Sequence, residues 1–371
     1  MDRGRASLAL LATLAALAVA AASPARLELE SSPEKQWHLQ YLKATEAHTL
    51  NQGENVIVAV LDTGVSPHPD LAGNLLEGAD LIKGVPNGGR SDSSGHGTGM
   101  AGLIAATGEG STQGIAPQSK VLPVVVTPPD GRGNPDVLAE GIDFAASRGA
   151  KVISISSVGG ASPKLVQAIR TATAADITIV AAAGNRPEDA FVGYPAIEES
   201  VIAVGGTDRT GNHAAVSVAG PEIDVVAPAV DIYSTGLNAG YRVGTGTSDA
   251  TAIVAGAAAL IRSKYPNLPA QEVAHRLTAT AVDKGPPGRD DRYGYGVIDL
   301  VAALTADVPP LGFESSNVTP PASAEAAPEK GDDSATVRGL ATLGVLVAAG
   351  GGYLFWRRRR RADDPPPRVS R

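Results

Sequence analysis

Residues 56–62 of the chain read VIVAVLD, an apolar run that closes on a single carboxylate. Similar apolar runs follow at 121–126, 151–156, 177–183 and 201–204. They are apolar nearly throughout rather than alternating, which is typical of strands that are covered on both faces. Helix-like stretches fall between them at 96–107, 134–148 and 162–175. This alternation predicts an α/β fold in which a mainly parallel central sheet carries helices on both faces.

The composition suits a globular protein, since 43% of the 371 residues are hydrophobic and 19% are charged. The formal net charge is −8, although the last fifteen residues, 357–371, carry seven arginines. The body of the chain is therefore acidic, which argues against nucleic acid as a partner. The chain has no cysteine, so disulfides and thiolate metal sites are excluded.

The start of the chain predicts export. Residues 1–23 combine a short basic head, an apolar stretch and small residues that resemble a cleavage site, which is the pattern of a secretory signal peptide. A first buried helix is the alternative interpretation. Residues 24–35 form a short polar lead segment, and residues 36–306 contain the strand and helix patterns of the folded domain.

The end of the chain predicts a membrane anchor. Residues 307–336 are rich in Pro, Ala, Ser and acidic residues, which indicates an extended linker. The transmembrane helix is expected over 337–356, where 18 consecutive residues, 339–356, lack a charge. A helix of that length spans about 27 Å, enough for a hydrocarbon core. The arginines of 357–371 should stay in the cytoplasm, so the folded domain would lie outside it.

Two polar residues close predicted strands. In open parallel sheets, functional groups gather beyond the carboxyl ends of the strands. Asp62 ends the first strand and Asn185 follows another, AAAGN at 181–185. A buried carboxylate needs partners, because its desolvation costs several kcal/mol. Each residue could also simply complete a turn, and that alternative stays open on local sequence alone.

Two further polar residues begin predicted helices. His96 stands between two glycines in SGHGTGMAGLIAA, residues 94–106, so that the backbone can approach whatever the imidazole faces. Ser248 stands where the glycine-rich GTGTSDATAIVAGAAAL, residues 244–260, becomes an alanine-rich helix. The N-terminus of that helix supplies positive potential near the hydroxyl. Both residues could instead be ordinary helix caps.

Taken together, Asp62, His96 and Ser248 follow one another in the order Asp, His, Ser, with Asn185 between the last two. This arrangement resembles the subtilases, the subtilisin-like serine proteases, over residues 36–306. The matching motifs are DTG at 62–64, HPDL at 68–71, GHGT at 95–98, GIAP at 114–117, AAAGN at 181–185, YPA at 194–196, VVAP at 225–228, GTS at 246–248 and YGYGVIDL at 293–300.

The resemblance implies a three-layer subtilisin-like fold and a serine endopeptidase that works through an acyl-enzyme. Ser248 would attack the peptide carbonyl and His96 would take its proton, while Asp62 orients the imidazole. Asn185 and the Ser248 N–H would bind the oxyanion. The family also pairs a strand end with the substrate backbone, here the ISISSVGG of 153–160. The implied substrate-binding residues are Ser156, Ser157, Gly159, Ala183 and Gly184.

The chain departs from the family pattern at two places next to these motifs. Gly99 and Met100 follow GHGT where the family has His and Val, and Asp249 follows the serine where the family has Met. Asp249 could serve as a first-turn helix carboxylate that points away from Ser248. Alternatively, it could reshape the leaving-group side of the site or the activity itself.

The layout of signal, catalytic domain, linker and anchor resembles the mycosins, which are membrane-anchored subtilases of type VII secretion systems. The resemblance implies protein or peptide substrates and components of such a system as partners. A catalytically weak scaffold with the same fold, which stabilises a secretion complex, is the alternative function. No cofactor is expected. Structural Ca²⁺ occurs in the family, but the acidic pair Asp290 and Asp291 fits no recognisable ligand spacing.

Overall fold

Seven parallel strands form the central sheet, in the order β2-β3-β1-β4-β5-β6-β7. The computed structural model describes residues 35–82, 88–128 and 133–312. All five strands expected from the sequence are present, and each begins within one residue of its predicted start. The strands are β1 Ile57–Asp62, β2 Ala79–Asp80, β3 Lys120–Val125, β4 Val152–Ile155, β5 Thr178–Ala182, β6 Ile202–Thr207 and β7 Val225–Pro228.

The three expected helices also begin within one residue of their predicted starts. Two of these helices, α4 and α5, have a proline at their first position, which favours a helix start. The residues before the prolines, Asn134 and Ser162, accept N–H groups of the first turn with their side chains. The helices are α1 Trp37–Tyr41, α2 Ala44–Leu50, α3 His96–Ala105, α4 Pro135–Ser147, α5 Pro163–Ala174, α6 Thr247–Lys264, α7 Ala270–Ala279 and α8 Leu300–Thr305.

The order of the strands explains where a site can form. From β1 the chain passes through β2 and α3 to β3 on one side of β1, and then through α4 to β4 on the other side. Helices α3 and α4 both pack on β1 and β3, but α3 also packs against α6 and α4 against α5, which places α3 and α4 on opposite faces of the sheet. The carboxyl end of β1 is therefore a topological switch point, where a crevice opens.

Helix α6 is the central helix of the fold. It is buried from Thr247 to Arg262 and packs against strands β4 to β7. Its small residues permit this close approach: a Cβ on Gly256 would lie 2.7 Å from the Cβ of Ile115. Tight packing of this kind stabilises the core only while no larger side chain intrudes. The beginning of α6 is thereby fixed near the strand ends.

A hairpin of β8 (Ile232–Thr235) and β9 (Tyr241–Gly244) joins the sheet to α6 and covers α3. The Ser234 hydroxyl donates to the Gly99 oxygen and the Thr235 hydroxyl to the Thr98 oxygen, each over 2.7 Å. A Cβ on Gly102 would lie 2.1 Å from the Thr235 hydroxyl oxygen, so that position requires glycine. The hairpin therefore holds the first half of α3 in place.

The expected α/β fold, with a mainly parallel sheet and helices on both faces, is confirmed. No helix in the described part of the chain is both long enough and apolar enough to cross a membrane. The expected signal peptide (1–23), anchor (337–356) and basic tail (357–371) lie outside the described residues. So do nearly all of the lead segment and most of the linker.

Candidate active site

A hydrogen bond between His96 and Asp62 at the switch point joins α3 to β1. The Nδ1 of His96 lies 2.8 Å from Oδ1 and 3.0 Å from Oδ2 of Asp62. The Asp62 side chain is 3% exposed, whereas that of His96 is 33% exposed. With Nδ1 as the donor, Nε2 is left as the acceptor, which is the tautomer that a general base needs. Asp62 therefore does more than complete a turn.

The loop before α3 is organised by Asp92, which the sequence analysis did not single out. Its carboxylate accepts hydrogen bonds from the hydroxyls of Thr63 and Thr98 and from the N–H groups of Ser94, Gly95 and Thr98. Burial alone would raise the pKa of Asp92, but these hydrogen bonds, led by those from Thr98, lower it. Asp92 thereby fixes the start of α3, and with it the backbone of His96.

The hydroxyl of Ser248 lies at the first turn of α6. Its side chain is nearly buried, at 8% exposure, and the Oγ donates to the main-chain oxygen of Ser156 over 3.3 Å. The Ser156 hydroxyl in turn donates to the Ser248 oxygen over 3.2 Å. A change of rotamer would release the Ser248 hydroxyl from Ser156.

Asn185 is held by the residue that precedes the serine. Its Oδ1 accepts the Thr247 N–H over 2.8 Å and the Thr247 hydroxyl over 3.2 Å. Since the oxygen is occupied, the Nδ2 donors remain for a ligand. The Asn185 N–H donates to Asp189 over 2.7 Å, which fixes the main chain as well. This arrangement leaves an amide donor near the N–H groups at the start of α6, as an oxyanion hole would require.

A cavity of about 480 Å³ brings these groups together. Ser156 and Ser157 line it, as expected, whereas three other expected substrate-binding residues do not. Gly159 pairs with Tyr194, Ala183 is fully buried, and the Gly184 N–H donates to the Thr247 hydroxyl. The lining residues are Asp62, Thr63, Ser94, His96, Thr127, Ser156, Ser157, Val158, Ala182, Asn185, Asp189, Arg242 and Ser248.

A larger groove of about 770 Å³ lies between α5 and α7, and none of the expected site residues lines it. The site is assigned to the smaller cavity because it contains Ser248 together with the contact between His96 and the buried Asp62 carboxylate. Arg242 of β9 also lines the smaller cavity and was missed by the sequence analysis. An isolated arginine in a short hairpin strand gives no local signal of a functional role.

The charges around His96 have opposing effects on its pKa. The Asp62 carboxylate raises the pKa of His96 most strongly, burial and Arg242 lower it, and Asp249 raises it. Burial raises the pKa of the Asp249 carboxyl to about 6. The imidazole thus lies among two carboxylates and one guanidinium, and its protonation depends on all three.

Comparison with known proteins identifies the family. The Subtilase family pattern matches residues 53–296. The chain is 38% identical to subtilisin BL of Lederbergia lenta over 271 residues, which cover 72% of this chain and 97% of that protein. It is 40% identical to subtilisin DY of Bacillus licheniformis over 258 residues, which cover 68% of this chain and 92% of that protein.

Solved structures agree with the sequence relatives. The MycP3 protease from the type VII (ESX-3) secretion system superposes with a TM-score of 0.66 at 32% identity, covering 73% of this chain and 88% of that chain. MycP1 from Mycobacterium smegmatis superposes with a TM-score of 0.64 at 30% identity, covering 74% and 85%. The chain therefore belongs to the subtilase family and is a serine-type peptidase.

Proposed function

We propose that the chain is a serine endopeptidase in which Asp62, His96 and Ser248 are the catalytic residues. The proposal rests on the 2.8 Å contact between His96 Nδ1 and Asp62 Oδ1, at a cavity that Ser248 also lines. Membership of the family supplies the class of reaction, and the geometry supplies the residues. Substrates are proteins or peptides.

The first step is attack by Ser248 on the peptide carbonyl. The hydroxyl leaves the Ser156 oxygen, and its proton passes to Nε2 of His96 as the Oγ–C bond forms. The imidazole then carries a positive charge, which the Asp62 carboxylate stabilises through the Nδ1–H bond. Because Asp62 is almost completely buried, little water screens that interaction.

The negative charge that develops on the carbonyl oxygen is bound by Nδ2 of Asn185 and the N–H of Ser248. His96 next protonates the departing amine, which leaves an acyl group on Ser248. Water then attacks the acyl-enzyme with His96 again as the base, and the serine is regenerated. Protons balance within these residues and water, so the proposed chemistry requires no cofactor or metal.

The substrate chain is proposed to lie along the end of β4, where Ser156 and Ser157 line the cavity. Addition of an extended peptide to a strand edge would supply main-chain hydrogen bonds there. The proposed subsite leaves out Gly159, Ala183 and Gly184, because none of them lines the cavity.

We place the enzyme outside the cytoplasm, anchored to the cell membrane, as a mycosin-like component of type VII secretion. Support comes from the signal-like residues 1–23, from the uncharged stretch 339–356 and from the basic tail 357–371. The similar MycP1 structure is described as an essential component of the type VII (ESX-1) secretion system. Protease treatment of spheroplasts should digest the catalytic domain and spare the tail.

The test is labelling of the full-length chain with a fluorophosphonate probe, which reacts with an activated serine. We expect the wild-type chain to be labelled and Ser248→Ala to remain unlabelled. Ser147→Ala, at the exposed C-terminal end of α4, is the matched control and should label like the wild type. A wild-type chain that stays unlabelled under conditions that label subtilisin would refute the proposed activity.

A catalytically weak scaffold is the second candidate, and one observation favours it: the Ser248 hydroxyl donates to the Ser156 oxygen rather than to His96. Complementation of a deletion strain separates the two functions. If Ser248→Ala restores secretion as well as the wild-type gene does, the scaffold is the physiological function. Loss of secretion with a normally expressed Ser248→Ala protein supports proteolysis.

A further inference from the structure

A second pair of charges lies directly behind the nucleophile. Asp249 follows Ser248 in α6 and its side chain is 3% exposed. The Nη1 of Arg242, on β9, lies 3.5 Å from Oδ1 of Asp249. A carboxylate buried this deeply is strongly disfavoured without a counter-charge, so Arg242 is what allows an acidic residue next to the serine.

Two glycines make room for this pair. A Cβ on Gly99 would lie 2.5 Å from Nη1 and 2.8 Å from Cδ of Arg242. A Cβ on Gly244 would lie 2.5 Å from Oδ1 of Asp249 and 2.6 Å from Nη2 of Arg242. Both departures from the family pattern, at positions 99 and 249, are therefore parts of one arrangement.

The guanidinium lies on the same side of α3 as the imidazole. Gly99 is three residues after His96, and residues three apart share a face of an α-helix. Arg242 crosses that face one turn below His96 and also lines the catalytic cavity. The pair thus contacts the serine helix through Asp249 and the histidine helix through Arg242.

The two contacting atoms of the pair are shielded from water. Nη1 of Arg242 and Oδ1 of Asp249 are both inaccessible to solvent, and neither atom has a hydrogen-bond partner in the described part of the chain. At 3.5 Å they are held by charge rather than by a hydrogen bond. In such surroundings each charge acts on the imidazole more strongly than it would in water.

The charged groups that line the cavity or adjoin it come from five elements. They are His96 on α3, Asp62 on β1, Arg242 on β9, Asp249 on α6 and Asp189 on the loop after β5. Arg242 lowers the pKa of His96 and Asp249 raises it, so that the two effects oppose each other. Without Arg242, a second buried carboxylate would favour the imidazolium, which cannot accept the serine proton.

We propose that Arg242 and Asp249 are positioning residues that act through His96. They form a pair of opposite charges around a buried carboxylate, accommodated by Gly99 and Gly244, and the two charges offset each other at the imidazole. Because Arg242 opposes Asp249, the carboxylate next to Ser248 does not add to the rise that Asp62 causes in the pKa of His96. The inference rests on the proposed catalytic roles of His96 and Ser248.

The test follows the rate constant of fluorophosphonate labelling of the full-length chain against pH. The midpoint of the acid limb reports the protonation of His96. In Asp249→Asn the cation remains without its anion, so the midpoint should fall by about one pH unit, a roughly tenfold gain in rate on the acid limb. Arg242→Gln combined with Asp249→Asn removes both charges and should bring the midpoint back to within about 0.3 units of the wild type.

The matched control is Asp231→Asn, which breaks the exposed Arg209–Asp231 pair and should leave the midpoint unchanged. If the Asp249→Asn midpoint stays or rises, or if the double variant keeps the shift of the single one, the inference is overturned. A merely structural role would change the amount of active protein without moving the midpoint.

A second variant covers the case in which Asp249→Asn does not fold, judged by circular dichroism. Arg242→Gln should raise the midpoint, because it leaves the negative charge of Asp249 unopposed. The rise should be smaller than the fall in Asp249→Asn, because the unpaired Asp249 carboxyl takes up a proton as the pH falls and loses its charge. A midpoint that stays or falls overturns the inference. If the wild type is not labelled at any pH, the proposed function itself fails, and this outcome is distinct from labelling without the expected shifts.

Discussion

His38 should make the protein sensitive to acid. This residue of α1 is completely buried, and neither of its ring nitrogens has a hydrogen-bond partner in the described part of the chain. Burial lowers the pKa of His38 from 6.5 to about 3, because no nearby group compensates the imidazolium for lost hydration. The folded protein must therefore keep this side chain neutral.

The size of the effect follows from linkage between protonation and folding. The pKa of His38 is lower in the folded state than in the unfolded state, so only the unfolded chain binds the proton between pH 6.5 and about 3. Stability is complete above pH 6.5 and falls by about 1.4 kcal/mol for each unit below it. At pH 4.5 the loss is about 2.7 kcal/mol, and at pH 3 about 4.4 kcal/mol.

The assay compares urea unfolding of the wild type and His38→Phe at pH 7.5 and pH 4.5. Trp37 adjoins His38 and is nearly buried, so its fluorescence reports on this region. The other tryptophan, Trp356, is replaced by Phe in all proteins. We expect the wild type to lose about 2.7 kcal/mol more than His38→Phe between the two pH values.

Two other histidines, His48 and His213, also have pKa values lowered chiefly by burial, and they destabilise both proteins in acid to the same extent. The contribution of His38 is therefore the difference between the wild type and His38→Phe in the free energy of unfolding lost between the two pH values. His275→Gln, at a partly exposed histidine, is the control and should behave like the wild type. Equal losses in the wild type and His38→Phe would refute the reasoning.

Two further predictions concern the site. Asn185→Asp keeps an acceptor for the Thr247 N–H but removes the Nδ2 donor. The kcat for a peptide substrate should therefore fall about 10²–10³-fold with little change in KM, which is the range known for an oxyanion donor of subtilisin. A fall below about fivefold would exclude Asn185 from the oxyanion hole. Gly99→Ala should displace Arg242, because the new Cβ would lie 2.5 Å from Nη1 of Arg242, and it should slow fluorophosphonate labelling. The triple variant Gly99→Ala, Arg242→Ala and Asp249→Asn lacks this clash and should be labelled much faster than Gly99→Ala alone. Equal rates for the two proteins would contradict the steric argument.

The strands and their order in the chain could be predicted from local sequence. Apolar runs without alternation are buried on both faces wherever they lie, so 56–62, 121–126 and 151–156 were recognisable one at a time. The short hairpin of β8 and β9 could not be recognised in this way. Its strands have four residues each and mixed burial, so that pairing and contact with α3 decide their conformation.

The residues of the site also divide into those that were predicted from local sequence and those that were not. Asp62, His96, Ser248 and Asn185 each stand at the end of a strand or the start of a helix, where a parallel sheet collects functional groups. Asp92 carried a weak signal, since a carboxylate four residues before His96 can accept the N–H groups of a helix start. The sequence analysis passed over that signal.

The sequence by itself determined which residues could react, because the chemistry of a hydroxyl, an imidazole and a carboxylate belongs to the side chains and their local elements. Only the tertiary structure decided that the buried carboxylate of Asp249 would have the guanidinium of Arg242 as its counter-charge. That outcome depends on Arg242 crossing Gly99 to reach it, a contact among three separate elements. Local pattern cannot report such a contact, because the energy of a buried charge is set by whatever the fold places within a few ångströms of it.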